Sequence, residues 1–92
     1  MFTFDISDEL KILITRLIKK DKRRSEILQN KIEEIIHSDI STIDHYPNCK
    51  YGLKQYKHVH IDKSFVLLFS VDKNLRHVYF YRLGHHDDFF KK

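Results

Sequence analysis

Phe65-Val66-Leu67-Leu68-Phe69 is the stretch that most limits what this 92-residue chain can become. It is apolar at every position, and strand side chains alternate between two faces. Such a strand needs both faces covered, so it belongs in the middle of a sheet with a layer on each side. Its neighbours also read as strands. Tyr56 to Ile61 places Val59 and Ile61 on one face and Tyr56, His58 and His60 on the other. Asp62-Lys63 is a turn, and Asp72-Lys73-Asn74 turns the chain again. Arg76 to Arg82 sets Val78 and Phe80 against His77, Tyr79 and Tyr81, and Gly84 is expected to break that strand. The last third is therefore a three-strand meander.

The layer that covers it should come from the first half. Residues 1–6 alternate as a short strand. Ser7 then makes a helix N-cap, with Asp8 and Glu9 in the first turn, where the helix dipole favours them. Leu10, Leu13, Ile14, Leu17 and Ile18 follow at helical spacing on one face. The basic run Lys20-Asp21-Lys22-Arg23-Arg24 reads as a solvated link that could also meet phosphates. A second helix, from about Arg23 to His37, carries the stripe Leu28, Ile32, Ile35 and Ile36. A short link between two amphipathic helices implies an antiparallel hairpin. From Ser38 to Gln55 the periodicity fades into a loop with Asp39, Asp44, Pro47, Asn48 and Gly52, which Leu53 could anchor. The expectation is one α+β domain over residues 1–92, with two helices packed on an antiparallel sheet made of the short N-terminal strand and the three-strand meander.

Composition narrows the partners. A net charge of +4 and a pI near 9.2 favour polyanions. Cys49 is the one cysteine, so no intramolecular disulfide can form, which fits a reducing cytoplasm. The start of the chain is too polar for a signal peptide, and no stretch has the ~20 apolar residues of a membrane span. There is no Gly-rich phosphate loop, serine nucleophile elbow or Cys-x-x-Cys.

The histidines are the candidates for chemistry. His58 and His60 share one strand face, and His85 and His86 follow the last strand. Imidazole takes and gives a proton near neutral pH. RNA carries its own nucleophile in the 2′-hydroxyl. Its cleavage needs a base, an acid for the leaving 5′-oxygen and cations for the charge on phosphorus. Two histidines with Lys57 or Arg82 nearby provide these without a cofactor or metal. Zinc is a competing use, but the spacing matches no compact zinc motif. Ordinary half-exposed sheet histidines are the plain alternative. Asp87-Asp88 could hold magnesium or cap a final helical turn.

The order of elements resembles the RelE/ParE toxin superfamily, and the last forty or so residues resemble its YafQ-type mRNA endonucleases. The matching segments are Asp44-His45, Tyr56-Lys57-His58-Val59-His60-Ile61, Val66-Leu67-Leu68-Phe69 and Arg82-Leu83-Gly84-His85-His86-Asp87-Asp88-Phe89-Phe90. His60, His86 and Phe90 fall on the family's active-site positions, and His45 matches its loop histidine. Two positions depart from the pattern: His58 and Ser64 stand where those relatives have carboxylates.

The resemblance implies a RelE-like fold and a type II toxin that cleaves mRNA in the ribosomal A site and stops translation. It implies a cytoplasmic protein held by a cognate antitoxin, in assemblies that include a heterotetramer. His86 would be the acid and His60 or His45 the base, with exchange of these labels left open. His58 completes the imidazole group, Phe90 would stack on a base, and Lys50, Lys54, Lys57 and Arg82 would hold phosphate. The alternatives are a ParE-like inhibitor of DNA gyrase and a RelE-like protein without catalysis.

Overall fold

The central strand is where the apolar run places it. In the computed structural model, which describes residues 1–50 and 52–90 without the Phe90 side chain, β3 (Phe65–Asp72) lies between β2 (Lys57–His60) and β4 (His77–His85). β1 (Thr3–Ile6) adds to the far side of β4, giving the order β1-β4-β3-β2. Val66, Leu67, Leu68 and Phe69 are all fully buried, as a strand covered on both faces requires. Between β1 and β2 come α1 (Asp8–Lys20), α2 (Lys22–Ile36) and a 3-10 turn (Ile43–His45). A short α3 (His86–Phe90) closes the described chain.

Register sorts the two faces. Leu67 and Phe69 face Leu10, Leu28, Ile32, Ile35 and Ile43 in the larger core, together with Val78, Phe80 and Leu83. Phe69 and Phe80, both wholly enclosed, each contribute about 1.5–3 kcal/mol through lost water contact. Val66 and Leu68 face the other way, into a smaller cluster with Cys49 and Phe89, onto which Leu53, Tyr56 and Tyr81 pack. A short helix and a loop cover that second face, where the first has a helical hairpin.

The helices are fixed by local chemistry. The Ser7 hydroxyl accepts from the Leu10 N–H at 3.1 Å and donates to the Tyr81 carbonyl at 2.6 Å, so one side chain caps α1 and ties it to β4. Asp21 alone separates the helices. Its N–H closes α1 on the Leu17 carbonyl, and its carboxylate opens α2 on the Arg24 N–H. The α2 stripe is buried as expected. The α1 stripe is narrower: Leu10 is enclosed and Leu13, Ile14 and Leu17 pack partly, while Ile18 is 48% exposed at the helix's free end.

Three features differ from the expected meander. β1 runs parallel to β4, so the sheet is mixed and not wholly antiparallel. The chain between them, which a parallel pairing needs to be long, holds the helical hairpin followed by β2 and β3. Gly84 does not end the last strand but lies inside it, opposite Val66, because the Phe89 ring occupies the space a Cβ would fill. Finally, β4 carries a bulge. Leu68 pairs with Arg82 and Phe69 with Phe80, which leaves Tyr81 as an extra residue. The bulge resets the alternation, so Leu83 reaches the larger core while Tyr81 and Arg82 both face the second side. Among the described residues no helix is long and apolar enough to cross a membrane.

Candidate functional site

The second face of the sheet gathers three imidazoles. Alternation along β2 directs His58 and His60 to the side of Leu68 and Val66. His86 opens α3, and its N–H donates to the Ser64 carbonyl at 2.6 Å, which holds the helix start against the head of β3. The His60 and His86 ring centroids are 5.6 Å apart with planes 27° from parallel. The His58 and His60 centroids lie 6.2 Å apart, edge to face. The Cys49 sulfur is 3.8 Å from His58 Nδ1. His85 does not join them. As the last residue of β4 it pairs with Phe65 and sets its ring against that side chain on the helix side.

Environment separates the three rings. His58 is half-buried, and burial, followed by the charges of His60 and His86, pushes its imidazole below the ordinary histidine value. Burial thus favours the neutral form of His58. His60 is exposed at the end of β2, and His86 has the Asp87 carboxylate 3.5 Å from Nδ1. Cys49 is enclosed, and burial pushes its thiol up, away from thiolate chemistry.

The expected cations divide. Arg82 is half-exposed on the imidazole side, its guanidinium carbon 5.6 Å from the centre of the Phe89 ring and its Nε 3.8 Å from the Glu9 carboxylate. Lys50 and Lys54 are exposed on the loop whose Cys49, Leu53 and Tyr56 pack over the same face. Lys57 is a correction. Alternation turns it to the opposite side from His58 and His60. There its buried ammonium donates to the Tyr46 carbonyl at 3.0 Å and Asn48 Oδ1 at 3.2 Å, with the Asp44 carboxylate at 3.4 Å. Lys57 thus pins the 43–48 loop from the side of the sheet opposite the imidazoles. That loop draws His45 away as well, since Ile43 is buried in the helix-side core and Asp44 pairs with Lys57 and Lys73. His45 is exposed, and the structure does not bring it into the imidazole group. The Phe90 side chain lies outside the described residues.

The basic run also resolves into structure. Arg24 pairs with Asp21 and Asp62, each at 2.9 Å, and lies 4.1 Å from the centre of the Phe65 ring. A cleft of about 450 Å³ opens beside it, lined by Asp21, Arg23, Ile27, Asp62, Lys63 and Ser64 among others, and no histidine borders it. Among the described residues no three His, Cys, Asp or Glu side chains are grouped to hold a metal ion. Two features of the site escaped the sequence: the Cys49–His58 contact, and a row of three tyrosines beside it, Tyr56 stacked on Tyr81 with Tyr79 tilted against Tyr81. Tyr79 and Tyr81 alternate on the same face as the histidines, which was the available signal.

A helical hairpin on one face of a four-stranded mixed sheet is also the fold of several solved toxins. A crystal structure of a YafQ mutant from E. coli matches with a TM-score of 0.72 at 13% identity, covering 96% of this chain and 97% of that one. The YoeB–YefM complex of Staphylococcus aureus matches at 0.70 and 16% identity, over 94% and 98%. A metal-bound toxin from Helicobacter pylori matches at 0.64 and 22% identity, over 98% and 100%. Sequence relatives carry the likeness further. A Methanocaldococcus jannaschii protein named provisionally as toxin RelE4 is 39% identical over 92 residues, all of this chain and 94% of that protein. An uncharacterized Methanosarcina mazei protein is 38% identical over 87 residues, 95% of this chain and 96% of its own length. No family profile matches. The chain belongs to the RelE-like toxin superfamily, the toxins of toxin–antitoxin systems.

Proposed function

We propose that this toxin is a ribosome-dependent endoribonuclease that cuts mRNA by acid–base chemistry without a metal. The observation that carries the reading is the His60–His86 pair, whose ring centroids are 5.6 Å apart on one sheet face. At that separation both rings can reach atoms of a single phosphodiester, each within the ~2.6–3.2 Å that proton transfer requires. His60 takes the proton from the 2′-hydroxyl, whose oxygen attacks the adjacent phosphorus. His86 gives a proton to the departing 5′-oxygen. The products are a 2′,3′-cyclic phosphate and a 5′-hydroxyl, with the proton count balanced. Arg82, with Lys50 and Lys54 on the covering loop, offsets the charge that gathers on phosphorus. Phe90 stacks on a base beside the cut. His58, kept toward neutrality, positions His60. In the resting cell a cognate antitoxin holds the toxin in the cytoplasm.

The test is induction of the toxin followed by mapping of mRNA ends, with His86→Ala and His60→Ala in parallel. Translation stops and 5′-hydroxyl ends appear with the wild type, and each substitution lowers cleavage by about 10²–10⁴-fold. Intact mRNA alongside DNA damage would point instead to gyrase inhibition and sink the nuclease reading.

A further inference from the structure

Beside the imidazoles lies an aromatic array that this chemistry leaves unused. Tyr56 and Tyr81 stack with ring centroids 4.4 Å apart and planes within 6°. Tyr79 continues the run, its centroid 6.4 Å from that of Tyr81 and its plane 33° off. The first two rings have a structural use, since both pack onto the cluster of Cys49, Val66, Leu68 and Phe89. Tyr79 packs into neither core and is 36% exposed. Its partners across the sheet, Ser70 and Asp5, leave no apolar neighbour on that face to account for it. The row of rings thus starts at the covering loop and ends on an open ring.

We propose that Tyr79, the open end of the Tyr56–Tyr81–Tyr79 row, is a base-stacking subsite for single-stranded RNA beyond the cleaved linkage. This rests on the nuclease reading. Every base has a π face, so such a platform binds RNA with little regard to sequence. Tyr79 stands five residues along β4 from Gly84, which pairs through Val66 with His60. That is about 15 Å of strand, so the base held there belongs to a different nucleotide from the one cut. Arg82 lies between, on the same face, to meet an intervening phosphate. Acids mark the boundary on the β1 side: Asp5 is 3.1 Å from His77 Nε2, and Glu9 is close to Arg82. The polyanion's route is therefore over β3 and toward the loop that carries Lys50 and Lys54.

The experiment uses fluorescein-labelled 2′-O-methyl oligoribonucleotides, which lack the attacking hydroxyl, of about two and about six nucleotides. Anisotropy reads their binding to the full chain. The longer oligonucleotide binds at least tenfold more tightly than the shorter. Tyr79→Ala costs the longer one about tenfold and leaves the shorter one, and the thermal melt, unchanged, while Tyr79→Phe restores binding and Tyr79→Leu does not. Equal binding by wild type and Tyr79→Ala, full retention in Tyr79→Leu, or no binding of either oligonucleotide overturns the subsite. If Tyr79-dependent binding is found but the all-ribose oligonucleotide is never cut, even on ribosomes, the subsite stands and the nuclease reading falls.

Discussion

Replacing Gly84 with alanine probes how the proposed acid is held. A Cβ at Gly84 would lie 2.8 Å from Phe89 Cζ and 3.1 Å from Cε2. Carbon atoms rest at about 3.5–4.0 Å, so the ring must retreat by roughly 0.7–1.2 Å. Phe89 is 3% exposed and sits among Cys49, Val66 and Leu68, so it has no space to retreat into. Overpacking of this kind costs about 1–3 kcal/mol. For a domain of this size that lowers the melting temperature by about 4–8 °C per kcal/mol. Gly84 does not have a positive φ, so alanine suffers no backbone penalty that could mimic the effect. Phe89 and His86 share the single turn of α3, and a ring that moves by an ångström carries His86 away from His60. Misplacement on that scale costs on the order of 100-fold in rate. Circular dichroism melts and RNA cleavage on ribosomes, measured on Gly84→Ala, should show both losses. Adding Phe89→Leu should return most of the activity by making room. A Gly84→Ala protein that melts and cuts like wild type would refute the reasoning, as would failure of the second substitution to restore any activity.

Three further outcomes follow from the described geometry. Lys57→Met should cost about 1 kcal/mol in urea unfolding, because the partly buried Tyr46 carbonyl and Asn48 Oδ1 lose their donor, yet leave RNA affinity unchanged; Arg82→Ala should do the reverse. The folded-state value of His58 is depressed, so the unfolded chain binds the extra proton: the stability this ring contributes is intact above about pH 6.5 and is lost as pH falls below it. His58→Gln should flatten the fall of the urea midpoint below about pH 6.5, and an unchanged slope would remove His58 as its source. Cys49, enclosed and with its thiol pushed up, should react with a thiol-specific disulfide reagent at pH 7 only as fast as the protein opens, so rapid labelling of the native protein would contradict its burial.

Much of this architecture was legible because burial writes itself into period. Phe65–Phe69 announced a strand covered on both sides, and Leu28, Ile32, Ile35 and Ile36 announced the helix face that covers one of them. The direction of β1 was not legible, since alternation carries no sign for parallel or antiparallel pairing. Gly84 was read as a breaker because its local propensity says so, whereas its use depends on Phe89, which reaches it only through the tertiary fold. The site was half legible. The two-residue period placed His58 and His60 on one face, and the same period should have removed Lys57, which lies between Tyr56 and His58. The bulge at Tyr81 leaves no local trace, so the joint facing of Tyr81 and Arg82 could come only from the structure.

The parallel seam between β1 and β4 has a bearing on how the toxin comes into being. It joins Thr3 to His77 across more than seventy residues, and the strand and turn bearing Gly84 and His86 emerge later than α1, α2 and β1–β3. Until β4 leaves the ribosome, the helical hairpin lacks Val78, Phe80 and Leu83 to pack against, and β1 has no neighbour. Contacts of such long range also form slowly. A nascent copy should therefore stay without a finished sheet, and hence harmless, until β4 has emerged. A chain stopped before His77 should show helical signal without a cooperative melt, and a sharp transition from that fragment would contradict this order of assembly.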